Sequence, residues 1–153
     1  MLNIFTRKPP QFFSVEQQNE IVAAIQQAEK TTSGEIRLYV ESRCKYVDAI
    51  DRAKEIFEKL QMHQTAQRNG VLVYVAMKDR QTAIFADSGI YNHVEDSYWT
   101  NKVKRMIAHF NRNNYAEGIV QVILEIGDTL SHAFPYDAAT DKNELPDDIA
   151  YGR

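Results

Sequence analysis

Apolar residues recur along the chain with two different periods, and the switches between them divide it into elements. From Val15 to about Lys30, Ile21, Ala24, Ile25 and Ala28 fall on one helical face, while Gln18, Glu20, Gln26 and Gln27 fall largely away from it. Ser14 offers a hydroxyl to the first free amides of this helix, and Gln17 can reach back to complete a capping box. Thr31-Thr32-Ser33-Gly34 stops it, with Gly34 free to take a positive φ. Between Glu35 and Glu41 the period drops to two: Ile36, Leu38 and Val40 share one face, Arg37 and Tyr39 the other, as in a strand with one drier side. A loop over Ser42 to Val47 leads to a second helix, with Asp48 as its cap and Ile50, Ala53, Ile56, Phe57 and Leu60 as its apolar set. Glu55 and Lys59 pair at i,i+4 on the wet side of that helix.

Gln61 to Asn69 is a polar connection, and beyond Arg68-Asn69-Gly70 the pattern changes again. Val71 to Ala76 is a nearly unbroken run of β-branched and aromatic residues, which suits a strand buried on both faces at the centre of a sheet. Met77 to Gln81 breaks the run and Thr82 to Ala86 resumes it, so the two segments read as a hairpin. The strand–helix–strand succession before it implies a right-handed crossover with the first two strands parallel. Asp96 or Ser97 then caps a helix that turns Trp99, Val103, Met106, Ile107 and Phe110 inward. Lys102, Arg105, His109 and Arg112 form its opposite stripe, a solvated face or a surface for an acidic partner. After Asn113-Asn114, a last helix from Tyr115 to Ala133 is apolar widely enough to be covered by more than one neighbour. Gly127 within it marks a close backbone approach, since glycine costs about 1 kcal/mol against alanine in a helix interior.

The order helix-strand-helix-strand-strand-helix-helix predicts a three-layer α/β/α sandwich around a small mixed sheet of three to four strands. The division is an arm over residues 1–13, a single domain over 14–135 and an acidic tail over 136–153.

Composition adds limits. With 44% hydrophobic residues in 153, the chain can build one ordinary core. Met1 to Pro10 lacks the apolar run of a secretory signal, and no stretch approaches the ~20 apolar residues of a membrane span. A cytosolic protein without direct membrane insertion is therefore expected. Cys44 is the sole cysteine and cannot make an internal disulfide. Asp137, Asp141, Glu144, Asp147 and Asp148 against Lys142 and Arg153 place the whole formal charge of −3 in the tail. No block of positive charge exists to neutralise a row of phosphates, so nucleic acid is not an expected partner.

Chain direction turns the hairpin into a geometrical expectation. If the first two strands are parallel and the third antiparallel, one end of the sheet gathers Gly34-Glu35, Asn69-Gly70 and Asp87-Ser88-Gly89. Two carboxylates, an amide and glycine-rich carbonyls are an oxygen shell suited to calcium or magnesium. Glu35, Asn69 and Asp87 are thus the candidate metal ligands, with Asp79 and Asp96 as secondary candidates. Each has a plainer reading: a strand-edge carboxylate for Glu35, a strand-launching turn for Asn69-Gly70, and for Asp87-Ser88-Gly89 a turn in which aspartate bonds nearby amides. The other end gathers Glu41-Ser42 with Lys78-Asp79-Arg80 and is expected to be more nearly self-neutralised.

The same residues carry a resemblance. Thr32-Ser33-Gly34-Glu35-Ile36 after an amphipathic helix, Arg68-Asn69-Gly70-Val71-Leu72 with Asp79-Arg80 behind it, Asp87-Ser88-Gly89-Ile90, and the ending Gly127 to Pro135 together resemble the TPM domain family over about Phe12 to Pro135. That family includes thylakoid-lumen proteins of photosystem II repair, and the tail from Asp141 to Asp147 resembles a short soluble bacterial branch of it. The resemblance implies an α/β/α sandwich, divalent-cation binding in some members, acid phosphatase activity in plant relatives, and association of bacterial relatives with LemA-type membrane proteins. Two departures bear on this. Gln11-Phe12-Phe13-Ser14 stands where many exported relatives have an aspartate-containing segment, and Asp87-Ser88-Gly89 stands where many have Gly-x-Gly. The first weakens a phosphatase assignment; the second adds a carboxylate that an ion can use.

Read without the resemblance, the chain shows no Walker-type loop, no cysteine with a phosphate-cradling loop and no aspartate pair at nucleophile spacing. His63, His93, His109 and His132 lack zinc spacing. In the tail, Asp141, Asn143 and Glu144 resemble the start of a calcium loop whose glycine and later glutamate are missing, so the tail reads as a solvated terminus or as an extension folding back through Leu145, Ile149 and Tyr151. Three functions follow as expectations: a cation-binding interaction module accessory to a membrane-associated complex, a metal-dependent phosphatase acting through Glu35 and Asp87, and a metal-free protein-binding domain.

Overall fold

The computed structural model describes residues 12–138 and 148–152. The elements are α1 (Val15–Glu29), β1 (Glu35–Glu41), α2 (Ala49–Lys59), β2 (Gly70–Ala76), β3 (Gln81–Ala86), a 3₁₀ turn (Ser88–Ile90), α3 (Asp96–Phe110), α4 (Tyr115–Ala133) and β4 (Ala150–Tyr151). The sheet runs β3-β2-β1-β4. β1 is parallel to both β2 and β4, and β3 is antiparallel to β2.

Helices cover the sheet unequally. Ile36, Leu38 and Val40 of β1 and Val71, Val73 and Val75 of β2 face a large core shared with α1, α3 and α4. The opposite residues of β2, Leu72, Tyr74 and Ala76, face a smaller core with Ala53, Ile56 and Phe57 of α2. Every residue of β2 is buried because it alone has a helix layer on each side and a strand along each edge. β1 keeps Arg37 and Tyr39 half-buried, because α2 packs on β2 and β3 rather than across β1.

Several local expectations hold. Ser14 and Gln17 form the capping box at α1, and Gly127 meets α1 so closely that an added Cβ would stand 2.5 Å from Ala28 Cβ. Others are corrected. No described glycine has a positive φ; what Gly34 avoids is Leu130, whose Cδ1 lies 2.9 Å from where its Cβ would be. The left-handed positions fall instead on Gln61, Arg68, Arg80 and Asn113. Neither Asp48 nor the residue before α3, Glu95, makes a side-chain cap bond, and Ile50 is exposed rather than apolar core. Phe13, assigned to the arm, is buried against the α1 and α4 side of the sheet.

The tail adds the fourth strand. Ala150 and Tyr151 pair with Tyr39 and Val40, and Tyr151 stacks on Phe12. The fold-back through Ile149 and Tyr151 is therefore real, whereas Leu145 and the calcium-loop-like residues Asp141, Asn143 and Glu144 lie outside the described residues.

Candidate functional site

The amino rim of the parallel strands brings the three candidate ligands onto adjacent strands. Glu35 lies opposite Gly70 and its N–H donates to Asn69 O at 3.3 Å, while the N–H of Asp87 donates to Gly70 O at 2.9 Å. Asn69 is in the middle, and two strand spacings, roughly 10 Å, separate the backbones of Glu35 and Asp87. All three residues are buried. Strand alternation puts Glu35 on the α2 side of the sheet with Tyr39.

Asp87 performs the turn chemistry that its sequence suggests, and more. Its Oδ1 accepts the N–H of Ser88 at 2.7 Å, and Arg68 grips both oxygens, Nε to Oδ2 at 2.8 Å and Nη2 to Oδ1 at 2.9 Å. The two loops are pressed together: Gly89 N–H donates to Arg68 O at 2.9 Å, and a Cβ there would stand 2.6 Å from that oxygen. The Arg68 side chain is 51% exposed whereas that of Asp87 is 4% exposed, so the carboxylate is enclosed and its counter-ion is not. Asn69 donates through Nδ2 to Ser33 Oγ at 3.4 Å; its Oδ1 is buried and accepts no hydrogen bond among the described residues. Beside Asp87 opens a cavity of about 480 Å³, walled by Phe57, His63, Phe85 and Tyr91.

As a metal centre this donor set is sparse. Among the described residues no group of three or more His, Cys, Asp or Glu side chains is placed to hold an ion. The rim offers two carboxylates and one amide oxygen, suitable in kind for a hard cation and short in number, so water would complete the shell. The secondary candidates do not join it. Asp79 is engaged at the opposite rim, and Asp96 is exposed in the first turn of α3.

The carboxyl rim is the more densely bonded end, and its residues were not legible as a site. Self-neutralisation does occur there, but Lys78 and Arg80 are not the partners. Arg52, reaching down from α2, holds Glu41 through Nε to Oε2 and Nη2 to Oε1, both at 2.9 Å, and the Tyr74 hydroxyl donates to the same Oε2. Arg52 Nη1 also bonds Glu55, which in turn accepts the Tyr46 hydroxyl. Asp79 accepts the N–H of Cys44 at 2.7 Å and Arg43 Nη1 at 3.3 Å. Burial and then the Glu41 bond push the Tyr74 phenol far up, while bonding to Glu41 holds Arg52 firmly charged. Two signals mark this network in the sequence. Arg52 lies four residues before core-facing Ile56, and Tyr74 is the one hydroxyl in an otherwise aliphatic buried strand, where it must find a partner.

In the basic stripe of α3, Lys102 and Arg105 both donate to Glu125 Oε1 of α4, at 2.8 and 2.5 Å, so half of the stripe also joins two helices.

A family model for the TPM domain matches residues 7–129. No curated protein matches the chain. The solution structure of the BA42 protein from the psychrophilic bacterium Bizionia argentinensis is 38% identical, with a TM-score of 0.85 over 95% of this chain and 99% of that one. The N-terminal domain of a P. gingivalis protein (19% identity, TM-score 0.63, 80% of this chain and 78% of that one) shares the fold. So does the N-terminal domain of a Corynebacterium glutamicum protein, at 10% identity and TM-score 0.59 over 99% of this chain and 95% of that one. With the family model spanning most of its length and BA42 matched nearly end to end, this chain belongs to the TPM domain family.

Proposed function

We propose that the protein is a divalent-cation-binding interaction module whose ion site is the amino rim formed by Glu35, Asn69 and Asp87. One observation carries this reading: the enclosed carboxylate of Asp87 is neutralised by a half-exposed Arg68, while on the same rim a buried Asn69 oxygen accepts nothing among the described residues. A buried oxygen without a donor costs about 1–3 kcal/mol, which a ligand supplying positive charge would recover. Calcium or magnesium would replace the guanidinium at Asp87 and take Asn69 Oδ1 as a further ligand, leaving Arg68 to turn into solvent. With few protein oxygens, binding is weak, on the order of 10⁻⁴–10⁻³ M.

Residue-resolved titration with calcium and with magnesium tests this directly. Amide signals of Glu35, Asn69 and Asp87 move together and saturate, and Asp87→Asn removes the response. Stationary signals at millimolar metal would sink the ion assignment. Phosphate-ester turnover, the activity that the resemblance implies for plant relatives, is measured on the same samples. Turnover lost in both Glu35→Gln and Asp87→Asn with the fold intact would move the reading to a hydrolase. The module's setting, a cytosolic accessory of a membrane-associated complex of LemA type, rests on the family resemblance and is tested by cell fractionation and co-purification.

A further inference from the structure

The carboxyl rim holds a second concavity of about 630 Å³, at the opposite end of the sheet from the ion site. Its floor is the Glu41–Arg52–Glu55 network, in which each carboxylate already has a cationic partner. Its walls are the rings of Tyr39 and Tyr46. Tyr39 is fixed from two sides. It stacks on Tyr74 with centroids 6.3 Å apart and planes 17° off parallel, and Gly152, whose N–H donates to Val40 O at 2.8 Å, leaves room for the Tyr39 hydroxyl where any side chain would collide. Tyr46 is oriented by its bond to Glu55. The loop between these walls is pinned at both strands: Ser42 O accepts Lys78 N–H at 2.8 Å, and Cys44 N–H donates to Asp79 at 2.7 Å. A polar floor, two placed aromatic walls and a fastened lip make a preformed pocket within the usual size of small-molecule sites.

Charge decides the kind of ligand. Both acids lining the pocket, Glu41 and Glu55, bond Arg52, whose single positive charge leaves one negative charge on the floor, with Lys59 as the next cation near Glu55. Lys45, at the lip, is exposed and makes no ion pair among the described residues, and Arg43 is 69% exposed on a 3.3 Å contact to an Asp79 that Cys44 already holds. Arg43, Lys45 and Arg52 outnumber Glu41 and Glu55 in the lining, and the two cations that bond neither of these acids lie at the mouth, above flat aromatic walls. We propose that this pocket binds a small planar anion, its ring against Tyr39 and Tyr46 and its phosphate or carboxylate at Lys45 and Arg43. Stacking on tyrosine favours any flat ring, and the two cations require the anionic group, so neither half of such a ligand alone suffices.

Two probes separate the sources of this chemistry: adenosine monophosphate for nucleotides and para-hydroxybenzoate for aryl acids, each titrated into the intact protein and followed by amide signals of Ser42 to Tyr46 and ring signals of Tyr39. At least one probe saturates at these signals without moving Asn69 or Asp87, and adenosine or inorganic phosphate alone binds at least about tenfold more weakly than the whole nucleotide. Lys45→Glu, on the surface and outside every described bond, weakens the saturating probe by about tenfold while the remaining spectrum is unchanged. Tyr46→Ala does the same through the ring. No saturation by either probe at millimolar concentration, equal response to inorganic phosphate, or binding untouched by Lys45→Glu would each overturn the proposal.

Discussion

The two rims of the sheet contain the same chemical pair in two different settings. At each, an arginine grips both oxygens of an enclosed carboxylate: Arg52 holds Glu41 and Arg68 holds Asp87. Arg52 is itself mostly buried and tied to a second carboxylate, and its carboxylate partner accepts a third bond from Tyr74. Arg68 is half-exposed, on a backbone with φ 52°, and has no second carboxylate among the described residues. A pair of the first kind is costly to open, because each group left behind is stranded away from water. One of the second kind opens cheaply on the arginine side, because the guanidinium regains water while only the carboxylate waits for a replacement. The first therefore serves as a fixed floor and the second as an exchangeable contact.

The largest effect that separates them is on stability. Glu41→Gln leaves the mostly buried Arg52 with Glu55 alone and weakens the acceptor of Tyr74, and is expected to cost about 3 kcal/mol in urea unfolding. Asp87→Asn removes an equally enclosed charge but releases an arginine to water, so its cost should be about half of that, roughly 1.5 kcal/mol. Equal costs for the two would erase the distinction. The next effect is on ion affinity: Arg68→Ala removes the competitor for Asp87 and should tighten magnesium or calcium binding about fivefold or more, read from the Asn69 amide. Weakened binding would mean that Arg68 supports the site instead of guarding it.

The smallest effect appears at alkaline pH and, of the two rims, belongs to the carboxyl one. Tyr74 is held protonated well above the ordinary tyrosine value of 10.0, by burial and by Glu41. The unfolded chain releases that proton near pH 10 and the folded chain does not. Its contribution is therefore complete below pH 10 and is lost as pH rises beyond it. Tyr74→Phe should flatten the alkaline fall in stability at a cost near neutrality of about 1 kcal/mol, measured by denaturation at paired pH values. An alkaline limb unchanged in Tyr74→Phe would assign it to the other tyrosines.

Much of the fold is legible in local pattern. The period-two run Glu35 to Glu41 is β1 to the residue, Tyr115 to Ala133 is α4, and the uniform burial of β2 follows from its unbroken apolar composition. Gly127 is correctly read as a contact with another helix because its cost inside a helix needs such a reason. The positive φ open to Gly34 goes unused, since a helix-ending glycine also supplies space, here beside Leu130. The bonds of Lys102 and Arg105 to Glu125 were not legible because periodicity gives a helix face but not the neighbour across from it.

By itself the sequence determined the elements up to α4, their order, the parallel crossover, and hence that Glu35, Asn69 and Asp87 lie along one rim, since direction and pairing follow from local periods and connection rules. Only the tertiary structure decided which charges meet. Arg68 lies next to Asn69 in sequence yet closes on Asp87, and Arg52 crosses from a helix to Glu41, while the tail supplies a strand that edges Tyr39. Partner choice depends on where long side chains end after the layers have packed, a distance of several ångströms that no local period encodes.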